Sequence, residues 1–378
     1  MGIIAVHMRR FLPAIPGLLF LCVFVGCAAA PQGQIVHLST QAQERPFPIP
    51  IVVLRGSGAE IGREHGAQLS ATIHLLHDKY LLILVKNQTQ RFMAMAAAQI
   101  FETELSAAHR EEIAGLAQGS GIDEQETMLG QCFLDLTGMT ACSTISLPAS
   151  ASPDHVARFG RNLDFWSLNV ADKYTTLFIV HPDGGRYAFA AVSWPGLIGV
   201  LSGMNEYGLT LANMEVTRNP RLPQAMPYTM LYRSVLERCR TVDEAIAILR
   251  ETPIQTANNL MLMDASGDRA VVELTPEAVH VRRAGAGAAL ISTNHQRDQD
   301  ADAPGRCWRY DYLHDAAKAE FGNVDEKSME NLLAHVGNVS TLQSMVFEPA
   351  NRVIYLAAGS SAAGRQFNRL DLKPYFQH

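Results

Sequence analysis

The chain has 378 residues, of which 48% are hydrophobic and 18% charged, and its formal net charge is −6. This balance is typical of a globular protein, and the 31 lysine and arginine residues are scattered rather than clustered. Proteins that bind nucleic acid carry a basic patch or stripe for the phosphates, so the composition argues against that class of partner. A neutral or amphipathic small molecule fits the composition better.

The first 27 residues have the pattern of an export signal. Arg9 and Arg10 precede an apolar run over residues 11–25, and small residues follow it. The run contains two prolines and is shorter than the roughly 20 apolar residues that a membrane-spanning helix needs. We therefore expect export to the periplasm or the cell surface.

Residues 24–27, with the sequence FVGC, resemble a bacterial lipobox, although Phe24 stands where leucine is usual. The resemblance implies that Cys27 is lipidated and holds the mature protein to a bacterial membrane. An ordinary cleaved signal and an uncleaved anchor are the alternatives. Residues 28–46, rich in alanine, glutamine, proline and serine, predict a flexible tether.

Four further cysteines lie at irregular spacings, and no CxxC motif occurs: Cys132, Cys142, Cys239 and Cys307. This pattern argues against a zinc site and against a dense disulfide framework. One disulfide stays open as an alternative in an oxidising compartment. We expect neither a metal ion nor a cofactor.

The chain from residue 47 onward predicts one domain whose first part is helical. Ile61, His65, Leu69 and Ile73 recur at fourfold spacing, and the helical pattern continues to about residue 138. Asp123 is placed to cap a further helix within this part.

From Cys142 onward, short apolar runs alternate with turn residues, which predicts strands. A capping box at residues 241–244 opens one helix, and two more are predicted over 306–321 and 327–336. Strand groups separated by helix pairs predict an α+β fold in which helical layers cover the sheets. The predicted strands span 142–147, 156–162, 175–181, 187–194, 260–264, 270–274, 342–347, 352–357 and 367–372.

Cys142 opens a strand, where its thiol is a candidate nucleophile. If the chain is cut before Cys142, the new α-amine has a pKa near 7.7–8.0 and takes the thiol proton without any histidine. Arg161 and Asp164 lie near the end of the next predicted strand. A guanidinium at Arg161 would favour the thiolate, and the carboxylate of Asp164 would orient the amine.

Four motifs occur in order: Cys-Ser-Thr at 142–144, Gly-Arg-Asn-x-Asp at 160–164, Gly-Met-Asn-Glu-x-Gly-Leu at 203–209 and Thr-Asn-His at 293–295. This order resembles the N-terminal-nucleophile (Ntn) hydrolases and is most similar to the isopenicillin N acyltransferase family. Choloylglycine hydrolases, acid ceramidase and N-acylethanolamine amidase are its relatives. The resemblance covers roughly residues 51–372 and implies a four-layer αββα sandwich.

The resemblance also implies a processing event and a set of catalytic residues. The precursor would cut itself before Cys142 into fragments 28–141 and 142–378, which remain associated. Asn294 would donate a hydrogen bond to the oxyanion, and Glu215 falls where some relatives place glutamate and others asparagine, so Asn213 competes with it. The candidate site residues are Cys142, Arg161, Asp164, Glu215 and Asn294.

These features predict an autoproteolytically activated cysteine amidohydrolase or acyltransferase. It would cleave a linear C–N amide bond of a small N-acyl amide through a thioester acyl-enzyme. A catalytically inactive, lipid-anchored binding protein of the same fold is the alternative. A papain-like cysteine peptidase is a second rival, but no histidine here has the flanking pattern which that mechanism needs. The sequence leaves the acyl group and the natural substrate open.

Overall fold

The computed structural model describes residues 47–85, 87–137, 140–216, 225–285, 287–297 and 307–377. The predicted export signal, the tether and Cys27 lie outside these residues. Within the described ranges, no helix combines the length and the apolar character needed to cross a membrane.

The α-helices of the described chain fall into four groups along the sequence, of which the first precedes Cys142 as predicted. They are α1 (Gly58–Leu76), α2 (Leu82–Leu84), α3 (Gln88–Thr103), α4 (Ala107–Ser120), α5 (Glu124–Thr137), α6 (Tyr228–Arg238), α7 (Val242–Glu251), α8 (Trp308–Ala319), α9 (Glu326–Val336) and α10 (Lys373–Phe376). The helix predicted to begin at the capping box of residues 241–244 corresponds to α7. The helices predicted over 306–321 and 327–336 correspond to α8 and α9.

The strands are β1 (Ile51–Gly56), β2 (Thr140–Leu147), β3 (Arg158–Phe165), β4 (Thr176–Pro182), β5 (Phe189–Ser193), β6 (Ser202–Asn205), β7 (Thr210–Glu215), β8 (Asn258–Met263), β9 (Arg269–Leu274), β10 (Val279–Arg282), β11 (Leu290–Thr293), β12 (Thr341–Glu348), β13 (Val353–Ala358) and β14 (Asn368–Asp371). They form an eight-stranded sheet in the order β1-β4-β5-β6-β7-β8-β9-β10 and a six-stranded sheet in the order β11-β2-β3-β12-β13-β14. The predicted strands did not include β1, β6, β7, β10 or β11. β1 pairs in parallel with β4.

Local signals start the helices before Cys142. Ser57 and Glu60 form a capping box at α1, with the Ser57 N–H donating to the Glu60 carboxylate at 2.9 Å. The Asp123 carboxylate accepts from the backbone N–H groups of Gln125 and Glu126 at 3.0 and 3.3 Å, which confirms its predicted capping role at α5.

The helices α1 and α4 pack backbone to backbone through glycines. A Cβ atom added at Gly62 would lie 2.0 Å from the carbonyl oxygen of Glu112, and one at Gly115 would lie 2.5 Å from the carbonyl oxygen of Ala59. Since a real Cβ atom does not approach an oxygen so closely, glycine is required at these crossing points.

The two sheets face each other, and helices cover both outer surfaces. Thr144 and Ser146 of the six-stranded sheet donate to the sulfur atoms of Met214 and Met261 in the eight-stranded sheet, at 3.3 and 3.5 Å. An apolar cluster joins α8 and α9 to the outer face of the six-stranded sheet. On the eight-stranded sheet, Asn205 donates to the Leu236 carbonyl of α6 at 2.8 Å. The predicted α+β fold with four αββα layers is confirmed.

The cysteines of the described residues are not cross-linked. Cys132, Cys142, Cys239 and Cys307 are all free and buried. Within the same residues, no group of three or more His, Cys, Asp or Glu side chains is placed to hold a metal ion. The fold of the described part is therefore held by its core and its hydrogen bonds.

Candidate active site

Cys142 lies on β2 with a fully buried side chain, whereas the preceding residue, Ala141, is exposed. β2 pairs antiparallel with β3, and this pairing sets Cys142 opposite Leu163 and Ala141 opposite Asp164. The peptide bond between residues 141 and 142 therefore crosses from solvent to the interior beside Asp164.

Arg161 shares a sheet face with Cys142. It pairs with Thr144, and residues 142 and 144 point to the same side because side chains alternate along a strand. The Arg161 guanidinium donates to Ser202 Oγ at 3.3 Å and to Asn213 Oδ1 at 3.5 Å. Burial raises the pKa of the Cys142 thiol, and the positive charge of Arg161 opposes this rise. In the uncut chain the thiol is thus protonated at neutral pH.

Asp164 points toward α8 and the turn before β12. Its carboxylate accepts from Thr341 Oγ1 at 2.6 Å, from Arg309 Nη1 at 2.9 Å and from Asn338 Nδ2 at 3.3 Å. Burial raises the pKa of Asp164, while the Thr341 hydrogen bond and the Arg309 charge oppose the rise. The carboxylate is therefore fixed in one position next to the 141–142 bond.

Asn294, in the segment after β11, contacts the backbone of Cys142. Its Oδ1 accepts from the Cys142 N–H at 2.7 Å and from Arg309 Nη2 at 3.0 Å. Its Nδ2 donates to the Glu215 carbonyl oxygen at 2.7 Å. In the uncut chain, Asn294 therefore presents an acceptor to Cys142, and its amide donor is engaged by Glu215. The oxyanion-donor role stays a prediction.

Glu215 and Asn213, the two competing candidates on β7, both lie at the site. Asn213 contacts the Arg161 guanidinium. Glu215 contributes its carbonyl oxygen to Asn294, and its charge acts on Asp135 of α5 and on Tyr228 of α6. The two residues thus have different environments, and the choice between them stays a prediction.

Sequence reasoning missed three residues that hold the site together. Arg309 bridges Asp164 and Asn294, while Asn338 and Thr341 bind Asp164. Arg309 falls inside a predicted helix, where an arginine is unremarkable. No local pattern marks these side chains, since they reach Asp164 from 145 or more residues away.

An apolar cavity opens beside the start of β2. Phe165, which pairs with Thr140, lines it and stacks on Tyr80 and Trp194 with ring centroids 5.7 and 5.4 Å apart. Phe133 of α5 lines the same cavity. The cavity therefore adjoins the residues immediately before Cys142.

Comparison with known proteins gives matches at the level of family, sequence and structure. The sequence model of the acyl-coenzyme A:6-aminopenicillanic acid acyl-transferase family matches residues 151–363, more than half of the chain. Protein dcd1A of Dictyostelium discoideum is 28% identical over 145 residues, which cover 36% of this chain and 33% of dcd1A. The chain thus spans about a third of the length of that curated relative.

Three solved structures are similar at low identity. The Caenorhabditis elegans ortholog of N-acylethanolamine-hydrolyzing acid amidase has a TM-score of 0.46 and 20% identity, covering 55% of this chain and 93% of that one. A mutant of conjugated bile acid hydrolase from Clostridium perfringens has a TM-score of 0.44 and 16% identity, covering 62% and 93%. Penicillin V acylase from Agrobacterium tumefaciens has a TM-score of 0.44 and 17% identity, covering 60% and 84%.

The family match begins shortly after Cys142 and includes Arg161, Asp164, Glu215 and Asn294, four of the five predicted site residues. It agrees with the family that the ordered motifs resemble. The match runs from β3 to β13 and thus includes strands of both sheets and the helices α6 to α9. The chain therefore belongs to the acyl-coenzyme A:6-aminopenicillanic acid acyl-transferase family.

Proposed function

We propose that this protein is a cysteine amidohydrolase that activates itself by cutting the bond between Ala141 and Cys142. The observation that carries the proposal is the 2.7 Å hydrogen bond from the Cys142 N–H to Asn294 Oδ1. It holds the nitrogen that scission would convert to an α-amine, while the thiol of the same residue lies beside Arg161.

Self-cleavage starts from the protonated thiol. The Cys142 sulfur attacks the carbonyl carbon of Ala141, a C–S bond forms, and the C–N bond breaks as the nitrogen takes a proton. The product is a thioester between the two fragments. Water then hydrolyses the thioester, which leaves a carboxylate on Ala141 and a free thiol and amine on Cys142. The exposure of Ala141 gives water access to this bond.

Turnover of an external amide repeats the first half of this chemistry. The neutral α-amine takes the thiol proton, and the thiolate attacks the substrate carbonyl. The departing amine takes that proton, and water resolves the thioester acyl-enzyme. For Asn294 to stabilise the oxyanion, its amide group has to leave the Glu215 carbonyl once residue 141 has moved away.

The apolar cavity supports an N-acyl amide with an apolar acyl group as substrate. It adjoins Phe165 and thus the position of Thr140 and Ala141, which form the acyl side of the bond cut during activation. We infer that an external acyl group occupies the same side of Cys142. Aromatic walls at Tyr80 and Trp194 favour a hydrocarbon chain over a charged one.

Association of the two fragments after scission is supported by a buried ion network. Arg233 of α6 donates to both carboxylate oxygens of Glu112 on α4, at 2.7 and 2.6 Å, and to Glu237 at 2.8 Å. His109 of α4 lies 3.0 Å from Glu237. The helix α4 precedes the cut and α6 follows it, so separation of the fragments would leave buried charges without partners.

The place of action is proposed from the sequence of residues 1–46. We propose that the protein is exported and anchored through a lipid on Cys27. Outside the cytoplasm water is abundant and acyl-coenzyme A is absent, so hydrolysis is the expected outcome rather than acyl transfer. Incorporation of a labelled fatty acid, lost in Cys27→Ala, tests the anchor; equal labelling of both proteins contradicts it.

N-terminal sequencing and intact mass of the purified protein, combined with a panel of N-acyl amides, test the proposed function. We expect two co-purifying fragments, one of which begins at Cys142, and release of amine from at least one amide. An uncut chain that hydrolyses amides would contradict self-activation. An uncut and inactive chain would favour the binding-protein alternative.

A further inference from the structure

Six buried polar side chains gather beside Cys142, on the side away from the apolar cavity. We call them the polar cluster: Asp135, Arg161, Asn213, Glu215, Tyr228 and Tyr232. Each is at most 5% exposed. They come from α5, β3, β7 and α6, so the cluster combines segments that precede and follow the proposed cut.

The members of the cluster are close to one another. The Tyr228 N–H donates to Asp135 Oδ1 at 3.3 Å, and the rings of Tyr228 and Tyr232 lie 5.6 Å apart. Arg161 reaches Asn213 at 3.5 Å. Burial raises the pKa of Tyr228 well above its usual range, and the charges of Glu215 and Asp135 raise it further.

Among the described residues, the cluster holds five buried atoms that find no hydrogen-bond partner. They are Asp135 Oδ2, Arg161 Nη1, Asn213 Nδ2, Tyr228 Oη and Tyr232 Oη. Each buried polar group without a partner costs about 1–3 kcal/mol, and native proteins contain few of them. Five such atoms around one nucleophile indicate a surface made for a ligand's polar group rather than for folding.

The position of the cluster relative to β2 assigns it to one end of the substrate. The apolar cavity adjoins Phe165, which pairs with Thr140, two residues before Cys142. Arg161 pairs with Thr144, two residues after Cys142. Phe165 of the cavity and Arg161 of the cluster therefore lie on opposite sides of Cys142 along the strand, and an amide bound at the thiol reaches toward both.

The cluster contains one guanidinium group, that of Arg161, and two carboxyl groups, those of Asp135 and Glu215. Burial raises the pKa of Asp135 well above its usual range, and the charge of Glu215 raises it further, which favours the uncharged form of the carboxyl group. A neutral site with donors and acceptors suits an uncharged hydrogen-bonding group, because an ion would lose its hydration without a counter-charge.

We propose that the polar cluster binds the amine portion of the substrate and selects one that carries a hydroxyl group over an apolar or an ionised amine. This inference rests on the proposed amidohydrolase function and names its substrate class. Asp135 and Tyr232 are specificity-determining residues. Because Asp135 lies before the cut, the first fragment contributes directly to the mature site.

Three amides with one shared acyl group test the inference: those of 3-hydroxypropylamine, n-butylamine and β-alanine. Their amine parts are similar in length and end in a hydroxyl, a methyl and a carboxylate. We expect kcat/KM for the hydroxyl amide to exceed that for each of the others by about tenfold or more, since a site built for hydrogen bonds rejects an analogue that lacks them. Equal rates, or preference for the carboxylate, would overturn the inference.

Matched variants separate recognition from folding. Tyr232→Phe and Asp135→Asn should each lower the ratio of kcat/KM for the hydroxyl amide to kcat/KM for the methyl amide at least threefold. The melting temperature and the extent of self-cleavage should stay near those of the wild type. Tyr375→Phe removes another buried phenol without a partner, on α10 outside the cluster, and should leave the ratio unchanged. An unchanged ratio in both cluster variants would overturn the assignment.

If the cut protein hydrolyses none of the three amides, that result instead contradicts the proposed function itself.

Discussion

The backbone N–H of Cys142 donates to the side-chain oxygen of Asn294 at 2.7 Å, and the same oxygen accepts from Arg309. The amide nitrogen of the proposed scissile bond is thus held before any cut occurs. The α-amine that replaces it would retain an acceptor in place, which orients its lone pair relative to the thiol.

Cys142→Ala should yield one uncut chain, because no sulfur is present to attack the Ala141 carbonyl. Cys142→Ser should cut more slowly and lose most turnover, since a hydroxyl is a weaker nucleophile than a thiol. Intact mass and amine release measure the two effects. Cys239→Ala, at the end of α6, is the control and should cut like the wild type. Full activity in the serine variant would contradict a thiol nucleophile.

Arg309→Met should slow the appearance of the second fragment and lower kcat, each at least tenfold. The guanidinium joins Asp164 to Asn294, so its loss frees both side chains beside the 141–142 bond. A time course on denaturing gels and steady-state kinetics check this. Arg283→Met, which removes a half-exposed arginine from Asp243 and Asp268, should change neither rate. Normal processing in Arg309→Met would show that the bridge is dispensable.

The apolar cavity should be narrowed by Gly130→Leu. A Cβ atom at Gly130 meets nothing closer than Leu81 Cδ2 at 3.9 Å, so the helix α5 tolerates a side chain that projects into the cavity. We expect kcat/KM to fall by about tenfold or more for long-chain acyl amides and much less for acetyl amides. Gly130→Ala is the matched control with a smaller side chain. A uniform loss for all chain lengths would contradict acyl binding in this cavity.

Acid should weaken the association of the fragments. Burial alone would raise the pKa of Glu237, but Arg233 and His109 hold it at about 2, below its ordinary value of 4.5. A carboxylate whose folded pKa is depressed adds stability above pH 4.5, and this contribution is lost as pH falls toward 2. Melting temperature and size-exclusion profiles of the cut protein between pH 7 and 3 measure the effect. Glu237→Gln should reduce the change of melting temperature with pH between pH 7 and 3. If the variant shows the same pH dependence as the wild type, the ion network around Glu237 is not its cause.

Gly62→Ala should destabilise the protein by about 1–3 kcal/mol through overpacking. The added Cβ would collide with the Glu112 carbonyl oxygen and push α1 from α4. Gly364→Ala, where a Cβ meets nothing within 4 Å, is the control. Thermal unfolding measures the stability of both variants. If Gly62→Ala is as stable as Gly364→Ala, the helices α1 and α4 can move apart without a loss of folding free energy.

The local sequence determined the features that depend on near neighbours. The capping residue Asp123, the helical first part and the hairpin that sets Cys142 beside Arg161 and Asp164 are encoded within short segments, through spacing and turn residues. For this reason the α+β class and the position of Cys142 beside Arg161 and Asp164 were predictable from these segments, whereas the four-layer arrangement was implied by the family resemblance.

The tertiary structure decided which distant side chains complete the site. Arg309 and Thr341 reach Asp164 across 145 and 177 residues, and Asp135 enters the polar cluster from a helix before the proposed cut. The pairing of β1 with β4 likewise joins remote segments. These contacts arise from the stacking of two sheets and their helices, so no spacing in the sequence marks them. The acceptor orientation of Asn294 also follows from its folded partners, because an amide side chain turns to satisfy the groups that surround it.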